Sequence, residues 1–252
     1  MKILVFSDYH AKGEILPGFI QAAKGLSFDV ICYTGDILKW RGKATEWVNA
    51  MKENRTPDKN KPGIKEEIQE NAEVYRKFYE EIGKLGKPTF LIPGNVDAPI
   101  SQYLRIGLEA MENPNLHIIH HSFHILNDWV IAGFGGEITE SEGEDFFVLM
   151  YPRWGVTYGL NFLTDLSQKK ILLLHTPPLG KLDLDNGSHK GSEVVNDLIQ
   201  RIKPQWVFCG HAHNAQGEEK IKETTVVNPG ALKSNNYVLI ETDTGKVEFR
   251  KF

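Results

Sequence analysis

The sequence predicts an α/β fold whose strands are largely parallel, and three observations carry that expectation. Short apolar runs end in glycine, a carboxylate or histidine; amphipathic or polar stretches separate them; and the strand-then-polar-motif pattern recurs in the second half. With 252 residues, 41% of them hydrophobic and 25% charged, the chain has the make-up of an ordinary globular protein and can bury a substantial core.

Taken in order, residues 3–6 form the first apolar run, and it ends in Ser7-Asp8-Tyr9-His10. A helix is expected within 14–24, then a strand over 29–33 ending at Thr34-Gly35-Asp36. Residues 52–61 are polar, contain Pro57 and read as a loop. From Ile64, the residues Ile68, Ala72, Tyr75, Phe78, Tyr79 and Ile82 recur at the helical period, with Pro62-Gly63 before them and Gly83 and Gly86 after. A helical insertion around 40–87 in an otherwise single domain is therefore expected. The strand over 89–92 ends in Pro93-Gly94-Asn95-Val96-Asp97, and helical text follows to about 112. Strands are expected over 116–119, 124–126 and 129–134, with Asn127-Asp128 turning between the last two. Residues 135–143 are rich in glycine and acid, and 146–158 are aromatic, a segment suited to core or subunit packing or to a substrate rim. The strand over 170–174 ends at His175; a helix over 192–201 leads to a strand over 206–209 that ends at Gly210-His211-Ala212-His213. Three β runs (224–227, 237–241 and 247–249) close the sequence, and no fixed-period repeat is present.

Composition also excludes function classes. No apolar stretch reaches bilayer length, and the opening MKILVFSDYH reads as a strand rather than an export signal, so no membrane is expected and the cytoplasm is the default location. A formal net charge of -4 with intermixed signs argues against broad wrapping of nucleic acid, while leaving room for a local patch that holds phosphate. Cys32 and Cys209 lie in apolar runs and read as buried thiols rather than a disulfide.

Five short motifs follow five expected strand ends: Asp8-Tyr9-His10, Gly35-Asp36, Gly94-Asn95-Val96-Asp97, His175 and Gly210-His211-Ala212-His213. Beyond the carboxyl ends of parallel strands is where an open α/β sheet places its site. Each motif alone is also ordinary turn chemistry. Together they supply carboxylate oxygens, imidazole nitrogens and an amide oxygen, a donor set suited to borderline transition metals.

In these motifs the chain resembles the calcineurin-like metallophosphoesterase superfamily, in order and over the span Asp8 to His213. The resemblance implies a four-layer α/β/β/α sandwich of two facing mixed sheets, and two divalent ions (manganese, iron, nickel or zinc) roughly 3.5–4 Å apart. It implies that Asp8, His10 and His213 hold one ion, that Asn95, His175 and His211 hold the other, and that Asp36 bridges them. Asp8, Asp36, Asn95, His175 and His211 would then take part in catalysis, with a hydroxide between the ions attacking phosphorus and no covalent protein intermediate. Asn95, His175, Gly135 in a glycine turn resembling one near the family site, and His189 on a nearby loop are candidates for touching a small-molecule phosphate ester. His117, His120, His121 and His124 have no carboxylate motif beside them and are expected to be structural.

One position departs from the pattern. The superfamily places histidine after Gly-Asn, where this chain has Val96, and valine neither protonates a leaving group nor contacts phosphate through hydrogen bonds. General-acid help is worth about 10²- to 10⁴-fold for poor leaving groups. Relatives lacking that histidine include phosphodiesterases, so diesters are favoured over alkyl monoesters. Asp97 is left to bind backbone groups in the turn. Lys39, near Asp36, brings a positive charge that is either exposed or close to phosphate. The alternatives are a phosphomonoesterase or Ser/Thr protein phosphatase, a nuclease, and a non-catalytic scaffold on the same fold. The aromatic segment allows a homo-oligomer.

Overall fold

The computed structural model describes residues 1–140 and 145–252, so the end of the glycine- and acid-rich stretch, residues 141–143, lies outside the described residues. The first-half strands are β1 (Lys2–Phe6), β2 (Val30–Tyr33), β3 (Thr89–Leu91), β4 (Leu116–Ile118), β5 (Ser122–Leu126), β6 (Trp129–Phe134) and β7 (Glu137–Thr139). They are followed by β8 (Met150–Pro152), β9 (Lys169–Leu174), β10 (Leu184–Asp185), β11 (Ser188–His189) and β12 (Trp206–Phe208). The last four are β13 (Gly217–Ile221), β14 (Thr224–Asn228), β15 (Asn236–Glu241) and β16 (Lys246–Lys251). The helices are α1 (Leu16–Lys24), α2 (Gly42–Lys52), α3 (Ile64–Gly83), α4 (Ile100–Ala110), α5 (Arg153–Leu160) and α6 (Glu193–Ile202).

Two six-stranded sheets carry the architecture, in the orders β16-β15-β1-β2-β3-β4 and β13-β14-β12-β9-β6-β5. In the first, β1 to β4 run parallel, and β15 joins β1 antiparallel. In the second, β14, β12, β9 and β6 run parallel, with β13 and β5 antiparallel at the edges. Both sheets are therefore mixed.

Side-chain alternation explains why they stack face to face. Along β1, Ile3 and Val5 enter the core between the sheets, whereas Leu4 and Phe6 enter the core under α1, α3 and α4. Along β9, Ile171 and Leu173 face the inter-sheet core, and Leu172 and Leu174 face the core under α5 and α6. Strands buried on both faces must be apolar throughout, which is why these runs show no polar alternation. Three cores separate four layers, helix, sheet, sheet, helix, as the resemblance implied. Cys32 lies between the sheets and Cys209 in the core under α6, so the two free thiols belong to different cores.

Helix α3 presents Tyr75, Phe78, Tyr79 and Ile82 to the first sheet, and α6 presents Val194, Val195, Leu198, Ile199 and Ile202 to the second. The Ser192 hydroxyl caps α6 by accepting the Val194 N–H at 3.3 Å, and Lys203 ends it in a left-handed conformation. Elements not anticipated from the sequence share a weak apolar pattern. Strand β13 is a charged edge strand, Gly-Glu-Glu-Lys-Ile, and α5 contains two glycines. The aromatic segment splits: Phe147 is buried, while Trp154 and Tyr158 are exposed. Among the described residues no helix is long and apolar enough to cross a membrane.

Phe208 is fully buried between the sheets. Phe208→Ala is expected to lower unfolding free energy by about 3–5 kcal/mol, the usual result of emptying an aromatic core site. Urea denaturation measures it; a loss under about 1 kcal/mol would mean that the sheets do not depend on this contact.

Candidate metal centre

The five motifs converge because β1, β2 and β3 of one sheet and β9 and β12 of the other end at the same edge of the sandwich. Within the first sheet, the Asp97 carboxylate gathers the loops. It is fully buried, and its Oδ2 accepts N–H bonds from Gly94 at 2.7 Å, Asp36 at 2.9 Å and Ile37 at 3.2 Å, while Oδ1 accepts the Leu38 N–H at 3.0 Å. The expected role of Asp97 as a backbone binder is the observed one. Its reach is wider than its own turn, because three of the four donors belong to the loop after β2. A Cβ at Gly94 would lie 2.0 Å from Asp36 Oδ1, so only glycine permits this approach. Between the sheets, Thr34 is the link: its carbonyl accepts the His175 Nδ1–H at 2.7 Å, and its hydroxyl donates to the Cys209 carbonyl at 3.1 Å. The His211 N–H makes a second crossing to Asp8 Oδ2 at 3.2 Å.

The result is two donor clusters that share one residue. Asp8, His10, Asp36 and His213 offer ligand atoms within 4.8 Å of one another, and Asp36, His175 and His211 do the same. Asn95 joins the second group, its Oδ1 being 3.2 Å from His175 Nε2. Asp36 Oδ1 accepts the Val96 N–H at 3.0 Å, which leaves Oδ2 facing both clusters, 3.7 Å from His10 Nε2 and 3.4 Å from His175 Nε2. Asp8, His10, Asp36 and His211 all have positive φ, between 50° and 67°. Side chains are thus aimed inward by a backbone conformation that only the surrounding hydrogen bonds sustain.

The donors suit divalent ions. His10 and His175 donate Nδ1–H to the carbonyls of Leu38 and Thr34, which aims each Nε2 at the cluster: a lone pair on neutral His10, and on His175 an atom that would shed its proton to a cation. His213 is set differently. The Lys233 ammonium lies 3.1 Å from its Nδ1, so Nε2 carries the proton shared with His10 Nε2 at 2.9 Å and Asp8 Oδ1 at 3.3 Å. A cation would displace that proton.

Charge points the same way. Burial pushes the Asp8 and Asp36 carboxyls up, yet the imidazoles around them outweigh it and both are held below the carboxylate range. Burial likewise lowers His175, but the neighbouring Asp36, and Asp8 beyond it, raise it to about 9. His211 is pushed down to about 4 by burial and the charge of His175. Two buried carboxylates therefore already draw a positive charge onto one imidazole. Cations would meet the same demand.

The structure brings together Asp8, His10, Asp36, Asn95, His175, His211 and His213. Gly135 and His189, the other two candidates, do not line the cavity beside the clusters. The Gly135 N–H is donated to His120 Nδ1 at 3.0 Å. His189 Nδ1 lies 3.0 Å from both oxygens of buried Asp183, and its side chain is not part of the cavity wall beside the clusters. His120 acts structurally, and His117 packs against His124 with tilted rings whose centroids are 4.4 Å apart. That cavity, about 420 Å³, is lined by His10, Asp36, Asn95, Val96, His211 and His213 together with Lys39, Trp40, Asp185, Lys190 and Lys233. Trp40, Asp185, Lys190 and Lys233 lie outside every motif, and no spacing in the sequence marks them. Lys43 was also silent: it is buried at the start of α2, with Nζ 3.5 Å from the Val96 carbonyl and 3.3 Å from that of Phe147.

A four-layer sandwich with two donor clusters sharing an aspartate at its strand ends has the frame of a metal-dependent phosphoesterase. The sequence profile described as metallophosphoesterase, calcineurin superfamily, matches residues 1–252, and the chain belongs to that family. One solved crystal structure is 33% identical with a TM-score of 0.93, covering 100% of this chain and 98% of that one. The crystal structure of TT1561 of Thermus thermophilus is 26% identical with a TM-score of 0.78, covering 99% of this chain and 98% of that one. The UPF0046 protein C25E10.12 of Caenorhabditis elegans is 26% identical over 172 residues, which are 60% of this chain and 59% of that relative's length.

Asp97→Asn replaces one acceptor oxygen by an amide that faces N–H donors, leaving at least one buried donor unmet. A loss of about 1–3 kcal/mol is expected in urea denaturation, with weaker metal binding by calorimetry. Unchanged stability and affinity would refute the gathering role. Lys43 supplies a pH test. Burial lowers its ammonium to about 8, only partly offset by Glu67, Asp97 and Asp36. A depressed lysine pKa means that the unfolded chain binds more protons between pH 8 and 10.5, so the burial cost is full below pH 8 and is relieved as pH rises through that window. The stability of the parent chain relative to Lys43→Met should therefore rise from pH 8 to 10.5. A flat difference would show that Lys43 is not held as a desolvated cation.

Proposed function

We propose that this chain hydrolyses phosphodiesters, with Asp8, His10 and His213 holding one divalent ion, Asn95, His175 and His211 a second, and Asp36 both. The observation that carries the reading is Asp36 Oδ2, one carboxylate oxygen within 4 Å of an imidazole from each cluster. Manganese, iron, nickel and zinc all suit these donors. When bound, two such ions polarise phosphoryl oxygens and make water acidic enough to attack at neutral pH.

The chain's own residues do the rest. Hydrogen bonds accepted by the Asp97 carboxylate and the Thr34 carbonyl fix the loops before any ligand arrives, so little reorganisation remains at the moment of reaction. The neutral Asn95 amide contributes an oxygen donor without adding negative charge, and its N–H groups remain available to a phosphoryl oxygen. Val96 supports the preference for diesters. It is buried, packs in the core beneath the first sheet and reaches the cavity wall, so no protein proton donor stands at this point beside the leaving group. Substrates whose leaving group departs without a protein proton are favoured. In this respect the chain is like members of the superfamily that lack histidine after Gly-Asn.

The test is one panel of diester, alkyl monoester, cyclic nucleotide and phosphopeptide against the four metals. Metal-dependent turnover of bis(p-nitrophenyl) phosphate is expected, abolished by chelator. Asp36→Ala should lower it by at least about 10²-fold, since even partners behind the ligands commonly cost about 10- to 100-fold. Strong turnover of alkyl monoesters with none of diesters would overturn the diester reading. Tight metal binding without turnover of any ester would overturn the enzymatic one.

A further inference from the structure

We infer that the substrate carries a second phosphate beside the one that reacts and a flat ring at one end, making it a diphosphate-linked, dinucleotide-like diester. This rests on the phosphodiesterase reading above and modifies it: the reacting phosphorus still carries one ester and one bridging oxygen, but the bond that breaks is the phosphoanhydride between the two phosphates. The cavity beside the clusters is walled by three lysines, Lys39, Lys190 and Lys233, against one carboxylate outside the donor clusters, Asp185. Asp185 is already engaged, Oδ2 accepting the His213 N–H at 3.2 Å and Oδ1 the Asn214 amide. Lys233 is held against His213. Lys39 and Lys190 are exposed, and among the described residues neither forms an ion pair, unlike Lys61 with Glu46 or Lys84 with Glu81 at 2.6 Å. They come from different loops, Lys39 after β2 and Lys190 after β11, so the two ammonium groups enter the wall from separate segments; Lys190 feels the largely buried Glu137 carboxyl without forming an ion pair with it. A diester with one phosphate brings a single negative charge, which the two ions would already compensate. Lysines without an ion pair in the same wall, Lys39 above all, call for further anionic charge on the substrate.

The ring follows from Trp40. Its indole is half exposed in this cavity, and its Nε1–H donates to Thr45 Oγ1 at 3.2 Å, which fixes the plane and leaves a face open for stacking. The second phosphate also resolves the missing proton donor. Water adds to one phosphorus, the bond to the bridging oxygen breaks, and the electron pair stays on that oxygen. It leaves as a phosphate monoester, whose second ionisation lies near pH ~6, so it departs as the dianion without an acid. Two phosphate monoesters form, and two protons pass to solvent. Val96 is then no handicap.

Two measurements on the full chain test this. With manganese, kcat/KM for diadenosine diphosphate should exceed that for adenylyl adenosine, which has the rings but one phosphate. The double variant Lys39→Gln/Lys190→Gln should lower the first about tenfold more than the second, the scale of one charge-assisted hydrogen bond, and the difference should shrink in high salt. By calorimetry ADP should bind more tightly than AMP, the double variant should remove that margin, and Trp40→Ala should weaken both. Equal losses for both diesters, or equal binding of ADP and AMP, would overturn the inference while turnover of bis(p-nitrophenyl) phosphate keeps the diesterase reading. Failure of bis(p-nitrophenyl) phosphate as well would sink the diesterase reading itself.

Discussion

The arrangement depends first on one buried carboxylate that binds no ion in the proposed scheme. Asp97 receives four backbone N–H groups from two loops, and by doing so places Asp36 where both clusters meet. Burial and the charge of Asp36 raise its pKa to about 7, against the pull of the N–H donors. Without Asp97 those donors would be buried and unmet, and the loop after β2 would have no reason to hold Asp36 at positive φ.

A second tier of constraint joins the sheets. Thr34 accepts from His175 and donates to the Cys209 carbonyl, so the residue just before Gly35-Asp36 spans the gap between the two sheets. Donors from β1, β2 and β3 could not converge with donors from β9 and β12 unless the sandwich held these edges in register. The inter-sheet core of Ile3, Val5, Phe90, Ile171 and Phe208 does that over a broad face. The polar crossings then set the last few ångströms, where apolar packing alone is insensitive to direction.

Much of this was legible in the sequence because strands buried on both faces leave an unmistakable apolar run, and because metal donors must follow such runs closely. The seven side chains that cluster at the strand ends were expected there for that reason, and the Asp97 contacts with backbone N–H groups were expected too. The parts that were not legible share a physical reason. Lys190, Lys233 and Trp40 reach the cavity by tertiary placement, and a lysine or tryptophan on a loop looks the same whether it faces solvent or a site. The Gly135 turn reads in the sequence like a substrate cradle, while in the fold its N–H is engaged by His120, a contact no spacing announces. Helix α2 lacks a strong apolar stripe, so Lys43, buried behind the Val96 turn, left no pattern to read.

This contrast separates two kinds of information in the chain. The donor set tolerates little variation, since each group must supply a particular atom to a point defined by two sheets and the hydrogen bonds between them. The wall of the cavity is built from loops after β2 and β11 and from the short helical turn before β15; Ile37, Leu38 and Leu232 anchor two of these in the core, while Lys39, Trp40 and Lys190 beside them are exposed. Substitutions there can change which ester enters without disturbing Asp36. Val96 belongs to both regions: its N–H fixes Asp36 Oδ1, a task any residue but proline can do, while its side chain packs in the core at the point where the residue meets the cavity wall. The backbone requirement and the chemical one are thereby uncoupled at a single residue. That is why a chain can dispense with a proton donor at this position while keeping the donor set around it intact.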